Sequence, residues 1–152
     1  MPPIKLLAVQ GGFVSNCITV FCNGLAQLEC DDFVIDKLYD LVDLIENQTD
    51  ISGAYDSIFK FMEDNPISDI GSPGPLVHLL EEHFPSYVPK LINSINKAPS
   101  TTTISMLHRI LNSDVTEPER SQYIDLLSRV SKSDSFNIAV CNEAKEYYDY
   151  HC

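Results

Sequence analysis

Positive charge is scarce in this chain. Ten lysines and arginines stand against twenty-two aspartates and glutamates, which gives 152 residues a formal net charge of -12 and a pI near 4.5. A surface of that sign repels phosphates and argues against direct nucleic-acid binding. Anionic membrane surfaces are disfavoured for the same reason. A basic protein partner is favoured, because an acidic field speeds encounter with a cationic surface. The plainer use of acidity, solubility, stands beside that reading.

Long apolar runs are missing as well. No stretch reaches the roughly 18 to 20 residues that a membrane-spanning helix requires. The opening MPPIKLLAVQGGFVSNCITVFCNG carries one lysine, and its apolar run is broken by Gln10, Gly11 and Gly12, then by Ser15 and Asn16. It fits the apolar region of a secretory signal poorly. The five cysteines are Cys17, Cys22, Cys30, Cys141 and Cys152, an odd number with no C-x-x-C pair. A disulfide framework is not expected, and a reducing, cytoplasmic setting is. Cys17, Cys22 and Cys30 read as small apolar fillers.

Signatures of catalysis are absent from the most suggestive string, SPGPLVHLLEEH at residues 72 to 83. A zinc hydrolase helix needs two histidines four residues apart on one face. His78 and His83 are five apart, which turns them about 140 degrees from each other around a straight helix. They cannot share one ion, so no metal is expected. The stretch Gly71-Ser72-Pro73-Gly74 lacks the lysine of a phosphate-binding loop, and its proline removes an N–H that such a cradle would use. No G-x-S-x-G occurs. The chain is read as a non-enzyme with no catalytic residue and no cofactor. A small hydrolase using His78 is the third-ranked reading.

What the sequence does hold is helical periodicity almost throughout. Phe13, Val14, Cys17, Val20, Phe21, Leu25 and Leu28 fall at helix spacing, with Gly24 weakening the pattern. Val34, Leu38, Leu41 and Ile45 make a second stripe with Ile35 and Val42 beside it, and Asp31 or Asp32 is placed to cap it. Residues 52 to 64 carry Tyr55, Ile58, Phe59 and Met62. Pro73, Pro85, Pro99 and Pro118 then each sit near a predicted helix start, where a missing N–H costs nothing. Thr116 and Glu119 have capping-box spacing. The following stripes are Leu76, Leu79 and Leu80; Val88, Leu91, Ile92 and Ile95; Ile104, Leu107, Ile110 and Leu111; and Tyr123, Ile124, Leu127 and Val130. A last helix runs from about Phe136 through Val140 and Ala144 to Tyr147 or Tyr148. Strand-like alternation is confined to residues 4 to 9. The expectation is one all-α domain over residues 1 to 152. It has about eight helices in antiparallel hairpins, stacked as an α-solenoid or a layered helical bundle.

Charge is unevenly spread along these helices. Between residues 29 and 69 twelve acids meet only Lys37 and Lys60, so ten of the twelve net negative charges lie there. Asp32, Asp36, Asp40, Asp43 and Glu46 step by three or four along the face opposite the apolar stripe. Like charges at that spacing cost helix stability, and an ordinary solvated face mixes in lysines. The ridge is a candidate docking surface for something cationic. The tail holds a second candidate in Tyr147, Tyr148 and Asp149, since tyrosines beside carboxylates suit protein interfaces. Packing of the last helix is the alternative use for the two tyrosines. His78 sits near the edge of its stripe and reads as a structural histidine bonded to a backbone carbonyl or Glu82. Arg109 is placed to pair with Glu81 or Glu82 across two helices.

The segment GSPGPLVHLLEEHF, followed by YVPKLINSINKAPSTTTISMLHRILNS and ERSQYIDLL, resembles a family of bacterial immunity proteins. These are paired with polymorphic toxins, including those of contact-dependent growth inhibition. The resembling core is residues 71 to 127. Its pattern is carried by Gly71, Pro73, Gly74, Pro75, Leu76, Val77 and His78, by Pro99 and Thr102, and by Leu107, Arg109, Ile110 and Asn112. The resemblance implies an all-helical cytoplasmic protein that binds and neutralises the C-terminal domain of a cognate toxin, often a basic nuclease. The shared motif would then be scaffold, with His78, Arg109 and Asn112 tying helices together, and specificity would lie on the acidic surface. A helical-repeat adaptor with an acidic protein-binding face is the alternative.

Overall fold

The computed structural model describes residues 16–152. The strand-like stretch 4–9 and the first apolar positions, Phe13 and Val14, lie outside the described residues. Within them, eight α-helices and no strand are found. They are α1 (16–26), α2 (Val34–Asp43), α3 (Tyr55–Asp64), α4 (Pro75–Glu81), α5 (Val88–Lys97), α6 (Thr101–Leu111), α7 (Glu117–Ser131) and α8 (Ile138–His151). A short 3-10 turn, Ser52–Ala54, leads into α3.

The stripes expected from spacing form one contiguous core running from Phe21 to Ala144. Small rotations distinguish expected from observed faces. In α2 it is Val42, not Leu41, that completes the buried row with Val34, Leu38 and Ile45. Leu41 lies to the side because it crosses Gly24 of α1, where an added Cβ would meet its Cδ2 at 2.6 Å. That close approach explains a glycine inside a helix. In α7 Leu126 joins Tyr123, Leu127 and Val130, and Ile124 is only half-buried. Val20 is exposed. In α5 the buried row is Leu91, Ser94 and Ile95, with Val88 and Ile92 half-buried.

Helix starts follow local chemistry. Ser100 caps α6 with a full capping box: its Oγ accepts from Thr103 N–H at 3.0 Å, and Thr103 Oγ1 accepts from Ser100 N–H at 2.9 Å. The capping partner is Thr103. Thr116 caps α7 by accepting from Glu119 N–H at 3.3 Å, with Pro118 in the first turn. Asn137 caps α8 by accepting from Ala139 N–H at 2.8 Å. Two expected starts shift. The helix near Pro73 begins at Pro75, because Gly74 is its N-cap at φ 87 and ψ 174. The helix near Pro85 begins at Val88 with Pro89 in its first turn, after a run of turns pinned by buried Tyr87. No side chain caps α2 directly. Asp31 instead accepts the Phe33 N–H at 2.9 Å, one step before the helix.

Two kinds of neighbour build the stack. Consecutive helices α5, α6, α7 and α8 pack in sequence. Helices two apart also pack, α2 on α4, α3 on α5 and α6 on α8. Sequence-adjacent and next-but-one contacts together make a stack of helices joined by short connections, consistent with the expected solenoid-like or layered arrangement. No described helix is long and apolar enough to cross a membrane.

Candidate functional site

The acidic stretch maps onto α2 and its flanks. A pitch of 3.6 residues turns Val34, Leu38 and Val42 inward and their opposites outward. Asp36, Asp40 and Asp43 occupy the outward face and are exposed, as are Asp32 before the helix and Glu46 after it. Among the described residues no cation lies within ion-pair distance of these five carboxylates. Asp31 differs. Lys37 Nζ approaches it at 2.9 Å, and that bond, with the Phe33 N–H, holds its carboxyl below the usual range.

Sequence periodicity had flagged the charges but not what flanks them. Phe33 and Tyr39, 64% and 51% exposed, and the less exposed Leu44 sit beside the acids on the same helix or its first flanking residues. Projected at 100 degrees per residue, Phe33 and Leu44 lie on one side of the ridge and Tyr39 on the other. These side chains add apolar area that contact could desolvate beside the carboxylates.

The Gly/Pro segment is structural. Gly71 (φ 113) and Gly74 (φ 87) face each other so closely that a Cβ on either would collide with the other's Cα or with the Ile70 carbonyl. Pro73 lies between them, and Pro75 takes the first helical position, where its missing N–H is harmless. Arg109 performs the expected tie. Its Nε and Nη2 reach the two oxygens of Glu81, both at 2.8 Å, and join α6 to α4. The Glu81 hydrogen bond is the main reason its guanidinium is held above its ordinary pKa. His78 does not share that role. Its ring is exposed, its nearest carboxylate among the described residues is Glu81 at 4.0 Å rather than Glu82, and no hydrogen bond or ion pair to another described helix is found for it. At 100 degrees per residue His78 points away from the buried Leu76 and Leu80. Arg109→Ala is expected to cost about 1 kcal/mol, since this bidentate pair is partly exposed and screened. A thermal melt should register about 2–4 °C lower, with partner affinity unchanged.

Asn112 ends α6, and its amide nitrogen approaches His108 Nε2 at 3.3 Å. His108 Nδ1 in turn meets His151 Nε2 at 2.9 Å, which carries the connection from α6 to α8. This cluster was not anticipated, because residues 43 positions apart leave no local signature. The nearest hint was Tyr147 and His151 at i, i+4. Tyr147 of the tail stacks on His108 at 4.0 Å and donates its hydroxyl to Glu143 at 3.0 Å. Its ring is thus spent on packing. Burial keeps both the Tyr147 phenol and the Glu143 carboxyl above their ordinary values. Tyr148 is half-buried, and Asp149 is exposed and held by Lys145 at 2.8 Å. The tail and the ridge lie on different parts of the stack, α8 against α6 and α7, α2 against α4.

Two concavities complete the surface. A groove of about 900 Å³ runs between the end of α1 and helices α3 and α5. Its lysines are matched internally, Lys60 with Asp64, Lys90 with Asp56 and Lys97 with Glu63. A polar hollow of about 440 Å³ lies beside the Gly71–Pro73 turn, where Ser105, His108, Glu143 and Tyr147 meet. Among the described residues no group of three or more His, Cys, Asp or Glu side chains is placed to hold a metal ion. All five cysteines are free thiols, with Cys141 buried and Cys17, Cys22 and Cys30 half-buried. Comparisons of the chain with protein-family models, curated proteins and solved structures give no match.

Proposed function

We propose that this protein binds and neutralises a cationic protein, in the manner of an immunity protein paired with a toxin. The single observation that carries the reading is the outer face of α2. Asp36, Asp40 and Asp43 stand there exposed and without a described cation, between Phe33, Leu44 and Tyr39. Carboxylates supply attraction and orientation, and aromatic side chains supply the area that desolvates on contact. A nuclease fits such a face because its active cleft is basic, and carboxylates placed where phosphates sit would occlude it. The resemblance of residues 71 to 127 to toxin-immunity proteins points the same way, with the Gly71–Pro75 turn and Arg109 as scaffold.

A helical-repeat adaptor is favoured only by the packing of neighbouring and next-but-one helices. Its natural cleft, the groove between α1, α3 and α5, has all three of its lysines already paired. The α2 face instead carries Asp36, Asp40 and Asp43 side by side with no described cation on them.

The test is a calorimetric titration against the product of the gene immediately upstream, at low and high salt. Tight binding that weakens steeply with salt is expected. No heat at either salt would remove the reading. Within that complex, Tyr39→Ala should weaken binding about tenfold, with little change in salt dependence because no charge is lost. An unchanged affinity would place Tyr39 outside the contact.

A further inference from the structure

Residues His108 and His151 do something that the α2 reading does not use. Their rings face each other through Nδ1 and Nε2 at 2.9 Å. Two imidazole nitrogens at that separation share one proton: one donates and the other accepts. With the Asn112 amide nitrogen donating to His108 Nε2 at 3.3 Å, His108 carries its proton on Nδ1 and donates it to His151. If both rings are protonated, both facing nitrogens bear hydrogen and the bond cannot exist.

We propose that His108 and His151 form an acid-released clasp that holds the last turn of α8 against α6.

The surroundings decide the direction. Arg109 lies beside His108 on α6, and Arg120 of α7 donates to the His151 carbonyl at 3.3 Å and to the Leu111 carbonyl at 3.4 Å. From α8 the rings of Tyr147 and Tyr150 pack on His108. Glu143 is engaged by Tyr147, and Asp69, across the polar hollow, accepts the Gly71 N–H at 3.0 Å. On α5, Lys90 and Lys97 are occupied by Asp56 and Glu63. Among the described residues no carboxylate therefore pairs with either imidazole, and two guanidiniums stand close by. Burial, then Arg109, lowers the His108 pKa; burial, then His108 and Arg120, lowers that of His151.

The sign follows from linkage. The folded clasp holds both rings neutral, while the unfolded or released chain takes up protons near an ordinary pKa of about 6.5. The contribution is complete above that pH and is lost as pH falls through the depressed folded values. Release would free Tyr147 and Tyr150 from His108 and open the wall of the hollow bounded by Glu143. Two imidazoles alone are an incomplete metal site, so the short contact is a hydrogen bond.

The experiment uses the full chain. Imidazole resonances are followed by NMR from pH 8 to 5, alongside hydrogen exchange of the α8 amides expressed as protection. Both rings should titrate below a histidine in a short peptide, and α8's last turn should lose protection as they do. His151→Gln keeps a neutral hydrogen-bonding side chain without an acid-titrating ring, and its α8 should stay protected down to pH 5. Rings that titrate at the peptide value, or a last turn whose protection ignores pH, would overturn the clasp. Acid release that persists undiminished in His151→Gln would do the same. So would opening by EDTA at pH 8 that zinc reverses, because the pair would then be a metal site. If His151→Gln fails to fold by circular dichroism, the ring titration of the unsubstituted chain still decides.

Discussion

Converting Asp36, Asp40 and Asp43 together to lysine is expected to weaken partner binding by about 100-fold or more, on the order of 3 kcal/mol. The three carboxylates lie on one exposed face and no described cation neutralises them. Reversal therefore replaces attraction by repulsion at each position, and both association rate and salt dependence should fall. The fold should not suffer. None of the three is buried, and α2 is held by Val34, Leu38 and Val42 beneath. Like-charge repulsion at i, i+4 is exchanged for repulsion of the opposite sign. Lysine is the better helix former. The Asp36→Lys change, near the N-terminus of α2, would oppose the helix dipole, and the Asp43→Lys change, at its C-terminus, would favour it. A thermal melt should be unchanged within about 2–4 °C, the shift of a 1 kcal/mol change. Unchanged affinity beside an unchanged melt would take this face out of the binding surface.

The second large effect is on stability. Gly74→Ala is expected to destabilise the protein by about 3 kcal/mol or more, because two penalties add. At φ 87 and ψ 174 Gly74 lies in a backbone region essentially restricted to glycine, where other residues are strained by about 1–3 kcal/mol. A Cβ there would also strike the Ile70 carbonyl and come within 2.9 Å of Gly71 Cα. Neither is a flexible side-chain tip that can swing aside. The turn would open and displace α4, whose Leu76 and Leu80 are core residues. A melting temperature about 10 °C lower should result. A melt within about 2 °C of the unsubstituted chain would mean that this turn does not set the position of α4.

Much of the fold could be read from the chain alone. Periodicity located the helices because burial of one face repeats every 3.6 residues, and it found Ile58, Leu80, Leu91 and Leu107, all fully buried. Glycine and proline marked the breaks between helices. Boundaries shifted where a cap competed with proline: Gly74, not Pro73, sets α4, and Ser100 with Thr103 sets α6. The final helix extends to His151, past the expected end at Tyr147 or Tyr148, because His108 and Arg120 anchor its last turn from other helices. That anchoring depends on tertiary pairing, which no local pattern encodes. The pairing of helices two apart was hidden for the same reason. Within the candidate site, the acidic ridge was visible as a charge pattern. Phe33 and Tyr39 were not, since exposure of an aromatic is known only once its helix face is fixed. His78 was misplaced at the edge of its stripe, although its spacing sets it nearly opposite Leu76 and Leu80.

The central claim is that this chain protects by binding, and growth measures it most directly. Cells expressing the product of the gene immediately upstream are compared with cells expressing that product together with this chain, and with the chain bearing lysine at positions 36, 40 and 43. The account predicts arrest with the neighbour alone, growth when this chain is present, and arrest again with the charge-reversed chain. Harmlessness of the neighbour, or arrest that this chain does not relieve, would contradict it.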